Sequence, residues 1–125
     1  MVSFENFKFT GEIPIYRQIL LFIKRGSVGG TILNGDELPS RRILSALLGI
    51  NPNTVQKAYR ILEEEMLITS QSGVKSFMTL DKVKLDKIRQ ELLTEDLRMM
   101  IHSMKEMSIC KEDAIRIIEQ YWDDD

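Results

Sequence analysis

The chain has 125 residues, 43% hydrophobic and 29% charged, with a formal net charge of −2. That composition supports one small core, and the length allows one domain plus an appendage rather than several domains. No apolar run is long enough to span a bilayer, no basic-then-apolar leader opens the chain, and one cysteine cannot form an internal disulfide, so neither a membrane nor secretion is expected, and a reducing cytoplasm is.

Residues 1–13 read as an extended lead-in. Pro14 suits a first helical position, and the spacing of Ile15, Ile19, Phe22 and Ile23 predicts a helix over about residues 14–28 with those four on its core face. Gly26, Gly29, Gly30 and Gly35 make the next stretch loop-like, with a short strand near Ile32. Ser40 is placed to cap a short second helix over residues 41–48, whose apolar residues are Ile43, Leu44, Leu47 and Leu48. Gly49 then supplies a left-handed stop.

A third helix follows over residues 52–66, with Asn51 as its cap and Pro52 at its first position. Val55, Ala58, Leu62 and Met66 recur at three- and four-residue spacing and predict a buried stripe, with Tyr59 packed beside Val55. Asn53, Lys57 and Arg60 point the other way, with Thr54 and Gln56 at the edges. The outward face thus carries amides, a hydroxyl and cations, the groups that contact base edges and phosphates. Helix, glycine turn and second helix make a helix-turn-helix, whose second helix enters the major groove of double-stranded DNA.

Residues 67–70 and 75–80 read as two short strands joined around Ser72 and Gly73. Asp81 is a candidate cap for the helical tail, in which Leu85, Ile88, Leu92, Met99 or Met100, and Met104 follow a three-four spacing widened by Leu97 and Ile101. Ser108 is expected to cap a second tail helix bearing Ala114, Ile115, Ile118 and Trp122. Two such helices carry more apolar surface than they can cover alone, which points to a homodimer joined through Leu92, Leu97, Met100, Ile101, Met104, Ile118 and Trp122.

The charge is unevenly divided. Residues 1–80 hold nine Lys/Arg against seven Asp/Glu, a net +2, whereas residues 81–125 hold eight against twelve, a net −4. A mildly basic amino-terminal part is compatible with DNA, because the local field matters more than the total. No nucleophile elbow, phosphate loop or paired carboxylates is present, so no enzyme activity and no cofactor are expected. His102 and Cys110 are too few to form a metal site.

The stretch from Pro14 to Phe77 resembles the DNA-binding domain of the GntR family of bacterial transcription regulators, in particular the short YtrA-type subfamily. The resemblance is carried by Pro14-Ile15-Tyr16-x-Gln18-Ile19, Gly35-Asp36-x-Leu38-Pro39-Ser40-x-Arg42, the run from Leu48 to Tyr59, Leu67-Ile68 and Gly73-x-x-x-Phe77. It implies a mainly α fold with a small β-wing, comprising a winged helix-turn-helix domain over residues 1–80 and a two-helix dimerisation tail over residues 81–125. It also implies a repressor-type regulator on a pseudo-palindromic operator, in a subfamily whose genes often adjoin transporter genes. Taken with the outward face of the third helix, it gives as candidate DNA-contacting residues Ser40, Arg42, Asn51, Asn53, Thr54, Gln56, Lys57 and Arg60, with Lys75 on the wing. The wing departs from the family pattern: Lys75 stands where a second glycine is usual and the expected arginines are absent, while Met66 replaces a glycine common after the third helix. Two other readings stay open, a winged-helix interaction module without DNA affinity and a regulator switched by a small effector at the tail interface.

Overall fold

A computed structural model describes residues 1–124. Asp125, counted above with the acidic end of the tail, lies outside the described residues. The elements run α1 (Ile15–Gly29), β1 (Glu37–Leu38), α2 (Arg41–Leu48), α3 (Pro52–Glu64), β2 (Ile68–Gln71), β3 (Lys75–Met78), α4 (Lys82–Glu106) and α5 (Lys111–Tyr121), closed by a 3₁₀ turn, Trp122–Asp124. The chain forms two compact units, Met1–Arg89 and a second beginning at Gln90.

In the first unit, α3 packs on α1 and α2, and a three-stranded antiparallel sheet is ordered β1-β3-β2. Ile19 and Ile23 of α1, Leu44 of α2 and Val55, Ala58, Tyr59 and Leu62 of α3 are wholly buried. Their burial sets one face of α3 inward and leaves the other to solvent, as its three-four spacing requires. Gly26 lets the following loop close on α1: a Cβ there would lie 2.7 Å from Ile32 Cδ1.

The sheet is larger than the two-stranded wing expected. Its third strand is Glu37–Leu38, not the region of Ile32, which is buried without being a strand. β1 pairs with β3 through Glu37 with Phe77 and Leu38 with Ser76, and β2 pairs with β3 from Ile68 with Met78 to Gln71 with Lys75. The lead-in is also more than a tether. Val2 and Phe4 are buried, and the Val2 N–H donates to Glu37 O at 2.7 Å. Phe4 and Phe7 pack against Phe22 with ring centroids 5.0 and 5.3 Å away. Gln18 holds the end of the lead-in, donating through Nε2 to Thr10 O and Ile13 O and accepting from Thr10 N.

Several local expectations shift. Pro14 is the N-cap of α1 rather than its first residue, and Ile15 is exposed beyond the buried face. On α2, Leu44 is buried while Ile43 and Leu47, one turn apart, face solvent. Met66 does not extend the buried stripe of α3. It is exposed, with φ of 60°, in the left-handed region that glycine occupies without strain. At the tail, Asp81 Oδ1 accepts from Lys84 N at 2.8 Å, as an N-cap should. Ser108, however, sits in the α4–α5 turn with φ of 60°, and the cap position of α5 falls to Cys110, which makes no side-chain cap bond. Lys84 Nζ donates to Met66 O at 2.7 Å and Thr79 O at 3.1 Å, joining the first turn of α4 to the exit of α3.

Candidate nucleic-acid interface

Local capping chemistry aims α2 and α3. Ser40 Oγ accepts from Ile43 N at 3.1 Å at the start of α2, and Gly49 ends that helix with φ of 66°. The turn between the helices is pinned by buried Ser45, whose Oγ donates to Ile50 O at 2.6 Å. Asn51 Oδ1 then accepts from Asn53 N at 2.8 Å, with Pro52 in the first turn of α3. The first-turn amides of α3 are thereby occupied, since Pro52 has no N–H and Asn53 and Thr54 N–H both go to Asn51, which leaves the positive dipole end and the side chains of that turn as its offer to an anion.

Asn53, Gln56, Lys57 and Arg60 are all exposed on this face, and Thr54 is half-buried at its edge. Arg42 is exposed at the start of α2. Lys57 Nζ lies 4.0 Å from the centroid of the Tyr16 ring, so α1 supplies an aromatic rest for a cation of α3. Arg60 Nε lies 3.8 Å from Glu64 Oε1, with both side chains open to solvent. Ser40 and Asn51 spend their acceptor oxygens on caps, which leaves the Ser40 hydroxyl proton and the Asn51 amide N–H groups as the donors they can offer.

Behind this face the helix turns acidic, and each carboxylate has a partner. Glu65 binds Lys24 of α1 at 2.7 Å, and Glu63 binds Arg41 of α2 at 2.7 Å. Arg41 also lies over the Tyr59 ring, 5.1 Å from its centroid. Tyr59 is fully buried, as the sequence predicts, and its hydroxyl donates to Pro39 O at 2.7 Å. Burial holds that phenol well above the usual tyrosine range, with the Arg41 charge opposing only in part.

The wing hairpin turns through Ser72 and Gly73, at φ of 55° and 69°, the two left-handed positions of a type I′ turn. The strain of a non-glycine residue therefore falls on Ser72. Lys75 has no positive φ; it is the first residue of β3 and is exposed. The wing thus presents one cation beside Gln71 and Ser72, both exposed.

In the second unit, Leu97, Met100, Ile101, Ile118 and Trp122 are exposed, Met104 is half-buried, and Leu92 is already buried within the single chain. Two apolar cavities share Met100, Met104 and Ile118. One, about 940 Å³, is completed by residues including Met99, Met107, Tyr121 and Trp122. The other, about 370 Å³, is completed by residues including Leu97, Ile101, Lys105 and Lys111. His102 Nε2 lies 3.1 Å from Glu106 Oε1 on the helix surface. Among the described residues no three His, Cys, Asp or Glu side chains gather as a metal site, and no helix is long and apolar enough to cross a membrane.

Tyr16, Arg41 and Glu63 were not singled out by sequence as parts of this surface. Tyr16 lies within a recognised motif, but its contact with Lys57 joins residues far apart in the chain.

A helix-turn-helix whose capped third helix bears amides and cations outward, followed by a wing, has a match among known proteins. Residues 15–78 match the family described as “Bacterial regulatory proteins, gntR family”. The chain belongs to the GntR family. It is 30% identical over 114 residues to the HTH-type transcriptional regulator YhcF of Bacillus subtilis, spanning 91% of this chain and 94% of that one. It is 36% identical over 89 residues to the HTH-type transcriptional repressor YtrA of Bacillus subtilis, spanning 70% of this chain and 68% of that one. A solved GntR family transcriptional regulator from Listeria monocytogenes superposes with a TM-score of 0.78 at 33% identity, covering 90% of this chain and 98% of that one. This GntR protein is a transcription regulator with a winged-helix fold, of the short YtrA type.

Proposed function

We propose that this GntR regulator binds a pseudo-palindromic operator as a homodimer and represses transcription, in the cytoplasm, of genes that include a transporter. Residues 1–80 would carry the DNA contacts and residues 81–125 the dimer contacts. The observation that carries the reading is the solvent face of α3: Asn53, Gln56, Lys57 and Arg60 are open on a helix whose opposite side, from Val55 to Leu62, is buried to the last side chain. Placed in a major groove, Asn53, Thr54, Gln56 and Lys57 reach base edges or phosphates, Ser40, Arg42, Asn51 and Arg60 anchor the backbone, and Lys75 adds one phosphate contact from the wing. The exposed apolar residues of α4 and α5 support dimerisation, and twofold symmetry matches two half-sites.

The test is fluorescence anisotropy across a salt series. One duplex is selected from a random pool by the chain itself, and a scrambled duplex serves as the comparison. Selective binding with a steep salt slope supports the reading, and Gln56→Ala should then change the preferred base by about 1–3 kcal/mol. Absence of binding at low salt would sink it and favour an interaction module that keeps the fold without DNA affinity. A second reading, of an apolar effector bound in the tail, is favoured by the 370 Å³ cavity, a volume in the small-ligand range.

A further inference from the structure

Glu63 stands at the rear of α3, where one carboxylate oxygen serves two other elements. Its Oε1 accepts from Arg41 Nη2 of α2 at 2.7 Å and from Ser70 Oγ of β2 at 3.0 Å. Arg41 immediately precedes Arg42, the exposed cation assigned to the DNA backbone above. Its guanidinium is drawn back over Tyr59, and its Nε is buried with no hydrogen-bond partner. A guanidinium offers five N–H donors, and this resting position leaves one of them unsatisfied. A phosphate could receive it bidentately, which the carboxylate prevents by holding it and by cancelling its charge.

We propose that Glu63 is a specificity-setting residue, a latch that withholds Arg41 from DNA and fixes the wing strand through Ser70. The inference rests on the DNA-binding reading above. Phosphate contacts carry no sequence information, so an added one strengthens binding to every duplex. Keeping Arg41 latched lowers that common term and leaves discrimination to the face of α3.

The test uses the full chain with Glu63→Gln, the Glu63→Gln/Arg41→Gln pair, and Glu65→Gln as a control that removes the same charge at the same helix end. Glutamine keeps an acceptor for Ser70. Each variant is titrated with the selected duplex and its scrambled version over a salt series. Glu63→Gln should bind scrambled DNA roughly 3- to 10-fold tighter, with a salt slope steeper by about 0.9, the value of one added phosphate contact. The selected duplex should gain less, so discrimination falls. The double variant, which removes the pair without changing net charge, should return to wild-type affinity and slope, and Glu65→Gln should gain less than Glu63→Gln. An inert Glu63→Gln in a wild type that binds selectively overturns this inference alone. A double variant that loses affinity and slope relative to wild type also overturns it, because Arg41 would then contact DNA already. A wild type that binds neither duplex overturns both readings together.

Discussion

Lys57 Nζ of α3 rests 4.0 Å from the ring centroid of Tyr16 of α1. The ring holds the ammonium at the outer face of the helix and narrows the freedom of its side chain before any ligand is met. Tyr16→Leu should weaken DNA binding by about 2- to 5-fold, the equivalent of an exposed cation–π contact of about 0.5–1 kcal/mol. In a Lys57→Ala background the same change should cost nothing further. Additive losses in that double-mutant cycle would separate Tyr16 from Lys57.

Tyr59→Phe should cost about 1–2 kcal/mol of stability, because Pro39 O loses its buried donor. Its pH dependence follows from the raised phenol. The unfolded chain ionises its tyrosines near pH 10, while folded Tyr59 resists. The contribution is whole below about pH 10 and is lost as pH rises from there toward the folded value. Urea unfolding from pH 8 to 11 should show this alkaline loss in wild type and a smaller one in Tyr59→Phe.

Met66→Gly should stabilise the fold by about 0.5–1 kcal/mol. The methionine is exposed at φ of 60°, so glycine relieves backbone strain while surrendering little packing. Chemical denaturation decides the sign, and a loss of stability would mean that the exposed side chain packs more than its exposure suggests.

Ile118→Asp tests the tail. Ile118 lines both apolar cavities, so a charge there should disrupt whatever covers either of them. Sedimentation should show monomers, and affinity for a two-half-site duplex should fall on the order of 100-fold as avidity is lost. A variant that remains dimeric would move the interface elsewhere on the chain.

The local chemistry of the fold was legible in the sequence. Ser40 and Asn51 declare helix starts by accepting from backbone N–H groups three and two residues on, Gly49 ends α2 in the left-handed region, and Pro52 sits in the first turn of α3. The outward set on α3 follows from the same periodicity that buries Val55 and Leu62. What escaped is non-local. β1 is two residues long and exists because β3 lies beside it, and the pairing of Val2 with Glu37 has no pattern to announce it. Ile43 and Leu47 mislead because their spacing matches a buried stripe while the core already has Leu44. The part played by Glu63 could not be read either, since its partners come from α2 and β2 and neither spacing is periodic.

Lys84 makes the exit of α3 and the entry of α4 a single joint. Its ammonium grips Met66 O and Thr79 O together, so a rotation of the first turn of α4 would release the peptide that follows α3. That charge is one brace of the joint, beside the Thr79 N–H to Leu67 O and Leu80 N–H to Asn34 Oδ1 bonds. Acetylation, which removes the charge and two of the three N–H donors, would loosen that joint without touching any residue on the solvent face of α3.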